Sequence, residues 1–111
     1  MLAKSNDGHG GNAFCQEMTA GDDMDALMAG ILNRGRGETL PDQWQAQIMI
    51  RVLQKARLIY ISDAPDELVR SLHMLPAHSL KEAMHLAEEI LGDPHASVTV
   101  IPDGVSVIVL P

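Results

Sequence analysis

A small α/β domain is the fold class this chain predicts, on three observations. Residues 41–56 carry apolar side chains at helical period. Residues 58–61, Leu-Ile-Tyr-Ile, are a continuous apolar run of the kind that forms a strand covered on both faces. Residues 79–91 read as a capped helix, followed by two β-rich runs at 97–101 and 105–109. The pattern predicts a three-layer-like domain with a mainly parallel sheet flanked by helices, and a C-terminal strand pair around a Pro-Asp-Gly turn. The 111 residues make one domain, 1–111, with length enough for one core.

The elements follow in order. Residues 1–11 are polar and glycine-rich, and Asp7-Gly8-His9-Gly10-Gly11 is a loop on turn chemistry. Residues 12–18 form a short helical turn. Asp22 or Asp23 then caps a helix in which Met24, Leu27, Met28, Ile31 and Leu32 repeat at helical spacing. Gly35 and Gly37, both able to take left-handed backbone, end it. In the helix over 41–56, Pro41 suits the first turn, where its missing N–H costs nothing. Trp44, Ile48, Val52 and Ala56 make a stripe widened by Met49 and Leu53, while Asp42 and Lys55 complement the helix dipole.

After the strand at 58–61, Pro65 opens a short helix over residues 67–72. Ser79 and Glu82 form a capping-box pattern for the next helix, which buries Leu80, Ala83, Met84, Ala87, Ile90 and Leu91 and stops at Gly92. Pro102-Asp103-Gly104 matches a type I turn with glycine in the left-handed position, so a hairpin joins 97–101 to 105–109.

Composition excludes several classes. Lys and Arg number 8 against 15 Asp and Glu, a formal charge of −7, with no basic cluster to meet nucleic acid. The longest apolar run is far short of the roughly 20 residues that span a bilayer. A single cysteine, Cys15, excludes an internal disulfide and suits a reducing, cytoplasmic setting. With three aromatics, Phe14, Trp44 and Tyr60, the core is aliphatic and filled by methionine.

Little local chemistry stands out. His9, His73, His78, His85 and His95 have no metal-ligand spacing, and Cys15 has no cysteine partner. These read as ordinary histidines and a plain thiol, with no metal residues and no catalytic residues. Gly8, Gly10 and Gly11 lack the dinucleotide spacing, although successive N–H groups ahead of a helix can cradle an anion. Trp44 admits two readings. It is either a core anchor on the Ile48 row or a cleft-edge residue, where its indole N–H and the helix N-terminus would hold a carboxylate.

Five strings in fixed order carry a resemblance. They are Asp7-Gly8-His9-Gly10-Gly11 with Phe14, Pro41-Asp42-Gln43-Trp44-Gln45-Ala46-Gln47-Ile48, Ile59-Tyr60-Ile61-Ser62-Asp63, Ser79-Leu80-Lys81-Glu82-Ala83, and Val100-Ile101-Pro102-Asp103-Gly104. In this order they resemble the C-terminal region of the nickel-dependent lactate racemase family, over nearly the whole chain. The resemblance implies a two-domain enzyme with its active site in the cleft between two α/β domains. A nickel pincer nucleotide on a lysine of the N-terminal domain takes hydride from a 2-hydroxy acid, and histidines of that domain are the acid–base groups. The C-terminal domain closes the cleft. Residue by residue, Trp44 matches the family's Asp-Gln-Trp tryptophan at the substrate end of the cleft. Asp7, Gly8, Gly10 and Gly11 match a cleft-lining loop. The nickel ligand, the cofactor-bearing lysine and the acid–base histidines correspond to positions upstream of this chain, so the implied partner is the N-terminal domain and no cofactor is held here.

Two readings follow. The first is a substrate-cleft domain of a lactate racemase-like enzyme, inactive by itself. The second is a stand-alone interaction module that self-associates as a homodimer, C2 pairs being the commonest outcome.

Overall fold

The structure is a computed structural model and describes residues 11–102. The expected strand forms as β1 (Ile59–Ile61), and it pairs in parallel with β2 (Leu75–Ala77), setting Ile59 opposite Leu75, Tyr60 opposite Pro76 and Ile61 opposite Ala77. β2 is an addition to the predicted elements, since a proline inside a run argues against a strand. The ladder shows why Pro76 is tolerated. Leu75 N–H donates to the Leu58 carbonyl at 2.8 Å, and Ser62 N–H donates to that of Ala77 at 3.3 Å. Residues 75 and 77 thus turn their backbone groups to β1. Those of Pro76 point the other way, where a missing N–H breaks no bond of the ladder.

Helices cover both faces of this sheet. On one lie α1 (Asn12–Met18), α2 (Met24–Leu32), α3 (Gln43–Leu53) and α4 (Asp66–Ser71), and on the other lies α5 (Leu80–Leu91). Side chains alternate along β1 accordingly. Leu58 and Tyr60 pack with a large cluster around Met18, Ile31, Ala46, Ile50, Val69 and Met74, while Ile59 and Ile61 pack with Ala77, Ala83 and Leu86. The predicted α/β class is the observed one.

Capping follows the sequence closely. Asp23 Oδ1 accepts the N–H groups of Asp25 at 2.9 Å and Ala26 at 3.2 Å, so Asp23 rather than Asp22 starts α2. Ser79 Oγ accepts the Glu82 N–H at 3.1 Å, but the Glu82 carboxylate reaches one residue further back than a capping box, to the His78 N–H at 2.7 Å. Gly92, at φ 64, closes α5 in the left-handed region. Gly35 and Gly37 do not take that conformation. Glu38 closes their turn instead, accepting the Gly35 N–H on its carboxylate at 2.8 Å and returning its own N–H to the Gly35 carbonyl at 2.9 Å.

Three expectations need correction. First, α3 starts at Gln43, with Pro41 in the turn before it and Asp42 left-handed at φ 60. Its inward face is Ala46 and Ile50, flanked by Met49 and Leu53, and the Trp44–Ile48–Val52 row is exposed. Ala46 and Ile50 pack with Met18 of α1 and Ile31 of α2, and the small alanine admits those helices to a distance that an indole would forbid. Second, α5 buries Ala83, with Leu86 and Ala87 half-buried, and leaves Leu80, Met84, Ile90 and Leu91 exposed. Two strands of three residues are too narrow to cover a helix of 12. Third, residues 97–101 form no strand. A turn at Asp93–Ala96 precedes them, and Val98 and Val100 are exposed with no ladder. Asp103, Gly104 and the run at 105–109 lie outside the described residues.

The inward face is testable by paired truncations. Ile50 is 0% exposed and Ile48 is 52% exposed. Ile50→Ala is expected to cost about 2–5 kcal/mol and Ile48→Ala under about 1 kcal/mol, measured by urea unfolding. The reverse order would restore the Trp44 row as the core face.

Candidate functional site

The two sequence features singled out for function meet at one end of the domain. Gly11, the last glycine of the loop, is the N-cap of α1, its carbonyl accepting the Cys15 N–H at 3.1 Å. Asp42 is the N-cap of α3. A Cβ built on Gly11 would lie 2.9 Å from Asp42 Oδ2, so a larger residue there would have to push the carboxylate aside. Asp7, Gly8, Gly10 and His9 lie outside the described residues.

Asp42 is an unusual cap. Its left-handed backbone turns the carboxylate away from the helix, and it accepts no bond from the first turn of α3. The first-turn N–H groups are thereby left without a side-chain cap. Trp44 sits in that turn and is 60% exposed. With Phe14, Ile48, Met49, Val52 and Leu58 it lines a shallow, almost wholly apolar recess of about 390 Å³. Core packing therefore does not hold the indole, and Trp44 lies at the surface on the rim of this recess.

The start of α3 also carries a polar network that no local spacing reveals. Glu17 of α1 is 7% exposed, yet carries a carboxylate. Arg34, just past α2, meets it with Nη2 at 2.7 Å from Oε1 and 2.9 Å from Oε2, a charge-assisted contact that satisfies both oxygens. Arg34 Nη1 donates to Gln43 Oε1 at 2.9 Å, and the same oxygen accepts the Leu40 N–H at 3.4 Å. Three segments, 17, 34 and 40–43, are joined at the start of α3. Sequence offered one faint signal, a glutamate next to Met18 on a helix with an apolar face.

The histidines do not converge. His73, itself left-handed at φ 62, donates Nε2–H to the Met18 carbonyl at 2.7 Å and so ties the end of α4 to the end of α1. His78 contacts Asp66 at 3.0 Å and His85 contacts Glu89 at 3.4 Å, all on the surface. Cys15 is half-buried. Among the described residues no three of His, Cys, Asp and Glu come together to hold a metal ion. A nickel centre therefore does not fit the described residues. No helix among the described residues is long and apolar enough to cross a membrane.

Fold and site together define a small α/β domain with helices on both faces of a parallel sheet and a tryptophan-bearing helix start at its surface. The chain belongs to the lactate racemase C-terminal domain family, which matches residues 1–109. It is 45% identical over 110 residues to the lactate racemase of Thermoanaerobacterium thermosaccharolyticum and 43% identical over 110 residues to that of Lactiplantibacillus plantarum. Each match covers 98% of this chain and 26% of the relative, so the chain spans about a quarter of their length. The solved structure of the lactate racemase apoprotein from Thermoanaerobacterium thermosaccharolyticum superposes with a TM-score of 0.91 at 44% identity, over 99% of this chain and 26% of that one.

Because Trp44 is the sole tryptophan, its fluorescence reads the site directly. Emission at the solvent-exposed, long-wavelength end and efficient acrylamide quenching are expected. Trp44→Ala is expected to cost under about 1 kcal/mol in thermal or urea unfolding, against about 3–5 kcal/mol for a buried tryptophan. A blue-shifted, quencher-resistant indole would return it to the core.

Proposed function

We propose that this chain is the substrate-side wall of a lactate racemase-like enzyme acting on small 2-hydroxy acids, and that it is inactive without the N-terminal domain. The observation that carries the reading is the exposed Trp44 at an uncapped helix start, adjoining an apolar recess and the Gly11–Asp42 contact. An exposed indole N–H is a single donor suited to a carboxylate or hydroxyl oxygen. The N-terminal end of α3 adds a favourable field for an anion, worth about 0.3–1 kcal/mol at an exposed site. The recess beside it offers a short alkyl group an apolar surface and displaces water from the polar contacts.

On this reading the chain binds and orients, and the reactive groups belong to the N-terminal domain. The nickel pincer nucleotide that the family resemblance implies supplies hydride acceptance when bound. On the family resemblance, its lysine tether, nickel ligand and acid–base histidines are carried by that domain. Asp7, Gly8, Gly10 and Gly11 line the cleft as backbone, and the setting is cytoplasmic.

The exposed Trp44–Ile48–Val52 row also suits burial by a second copy, as the self-associating module requires. One experiment separates the two. The chain is mixed with a cofactor-loaded N-terminal domain from the same source, and interconversion of D- and L-hydroxy acids is followed with each piece alone as control. Activity is expected in the mixture only. Trp44→Ala is expected to lower kcat/KM there by about 10- to 100-fold, the worth of a hydrogen bond to a charged group. Activity of the chain alone, or an unaffected Trp44→Ala mixture, would overturn the assignment. A tight homodimer inert in the mixture would establish the interaction module.

A further inference from the structure

We infer that Arg34 and Gln43 are positioning residues that fix Trp44 at the mouth of the recess, with the buried Glu17 as their anchor. The inference rests on the cleft reading of Trp44 and deepens it. An indole that is 60% exposed is only partly packed, so its direction depends strongly on the backbone that carries it. At the start of α3 the backbone closes the turn, Gln43 N–H donating to the Leu40 carbonyl at 3.3 Å and Gln45 N–H to the Asp42 carbonyl at 2.9 Å. With Asp42 left-handed, however, the side-chain cap is missing. Gln43 replaces it. Its side-chain oxygen accepts from the Leu40 N–H at 3.4 Å, closing the turn before the helix, and from Arg34 Nη1 at 2.9 Å. Trp44 is the next residue.

Arg34 in turn is held on both carboxylate oxygens of Glu17, at 2.7 and 2.9 Å, with side-chain exposures of 26% for the arginine and 8% for the glutamate. Glu17 lies on α1 beside Met18, which is fully buried in the main core cluster. The chain of contacts therefore runs from the core, through one guanidinium, to the residue preceding the tryptophan. A guanidinium is required for this geometry. Its planar fork meets a carboxylate with one nitrogen while a second nitrogen donates elsewhere, and an ammonium on a flexible stem cannot hold both acceptors in one plane.

The test uses the 111-residue chain and its single tryptophan. Gln43→Met keeps length and helix propensity but removes the acceptor, Gln43→Glu keeps an acceptor facing Arg34, and Arg34→Lys keeps the charge that Glu17 needs. Helicity and unfolding midpoint are recorded so that fluorescence is compared between folded samples. Tryptophan anisotropy is expected to fall in Gln43→Met and Arg34→Lys and to stay at the parent value in Gln43→Glu. In the reconstituted mixture with the N-terminal domain, Gln43→Met is expected to raise KM by at least about threefold, since small misplacement of a positioning group is costly. Should Gln43→Met and Arg34→Lys lower only the unfolding midpoint, with anisotropy of the folded protein unchanged, the pair is structural and the inference falls. Loosened anisotropy with an unchanged KM would instead overturn the cleft reading of Trp44 and leave the mechanical link standing.

Discussion

Among the described residues, the architecture rests on a parallel sheet of two strands, each three residues long. A parallel pair cannot be joined by a tight turn and needs a crossover element, here α4 between β1 and β2. Both faces of such a pair must also be covered. Those two requirements place α4 and its neighbours on one side and α5 on the other. The sheet is nevertheless too small to be the floor of a core. The principal core is helix against helix, around Met18, Ile31, Ala46 and Ile50, and the strands contribute an edge to it through Leu58, Tyr60 and Met74. The same narrowness leaves the outer row of α5 exposed, with Leu80 and Leu91 facing solvent among the described residues.

Within that frame, Glu17 and Arg34 are the costly pair. Desolvating a carboxylate and a guanidinium costs several kcal/mol per ion, and good geometry with further hydrogen bonds is needed to offset it. The observed contacts meet that condition. Both Glu17 oxygens are engaged, and Arg34 spends a second nitrogen on Gln43. An apolar pair of similar volume would hold α1 against α3 at lower electrostatic cost, but it would remove the one link from Glu17 to the Gln43 side chain, leaving the turn at 40–43 held by local bonds alone. What the ion pair supplies is directional, a connection from the core to one particular backbone position.

Much of the fold was legible from residues 12–92. Helix starts at Asp23 and Ser79, the stop at Gly92 and the two-faced strand at 59–61 all express local chemistry, which sequence displays. The errors fall where local chemistry does not decide. Trp44, Ile48 and Val52 satisfy helical spacing as well as Ala46 and Ile50 do, and the choice of face was made by α1 and α2 packing on the alanine. β2 was hidden because Pro76 is acceptable only when its absent N–H faces away from the partner strand, which depends on register. The valines at 98 and 100 alternate as a strand should, yet no strand among the described residues pairs with them. For the site, Gly11, Asp42 and Trp44 were visible as strings, whereas Glu17 and Arg34, 17 residues apart with partners on three segments, left no pattern to read.

Two apolar rows stand exposed on this domain, and they differ in what adjoins them. Under the α5 row, the described side chains of the inner face are Ala83, Leu86 and Ala87, and the bonds at its start, Glu82 N–H to Ser79 Oγ and His78 N–H to the Glu82 carboxylate, are a local cap that is exposed to solvent. At the start of the α3 row, the guanidinium of Arg34 links the buried Glu17 carboxylate to the side-chain amide of Gln43, the residue before Trp44. A surface that needs only to be apolar is made by exposing leucine and valine, and requires no orientation. Fixing one large ring by a desolvated ionic network is justified when the direction of the ring matters, because the network contributes direction at a cost that mere burial would not incur. That contrast separates the α3 face from the rest of the apolar surface, and it does so from the coordinates of this chain independently of its relatives.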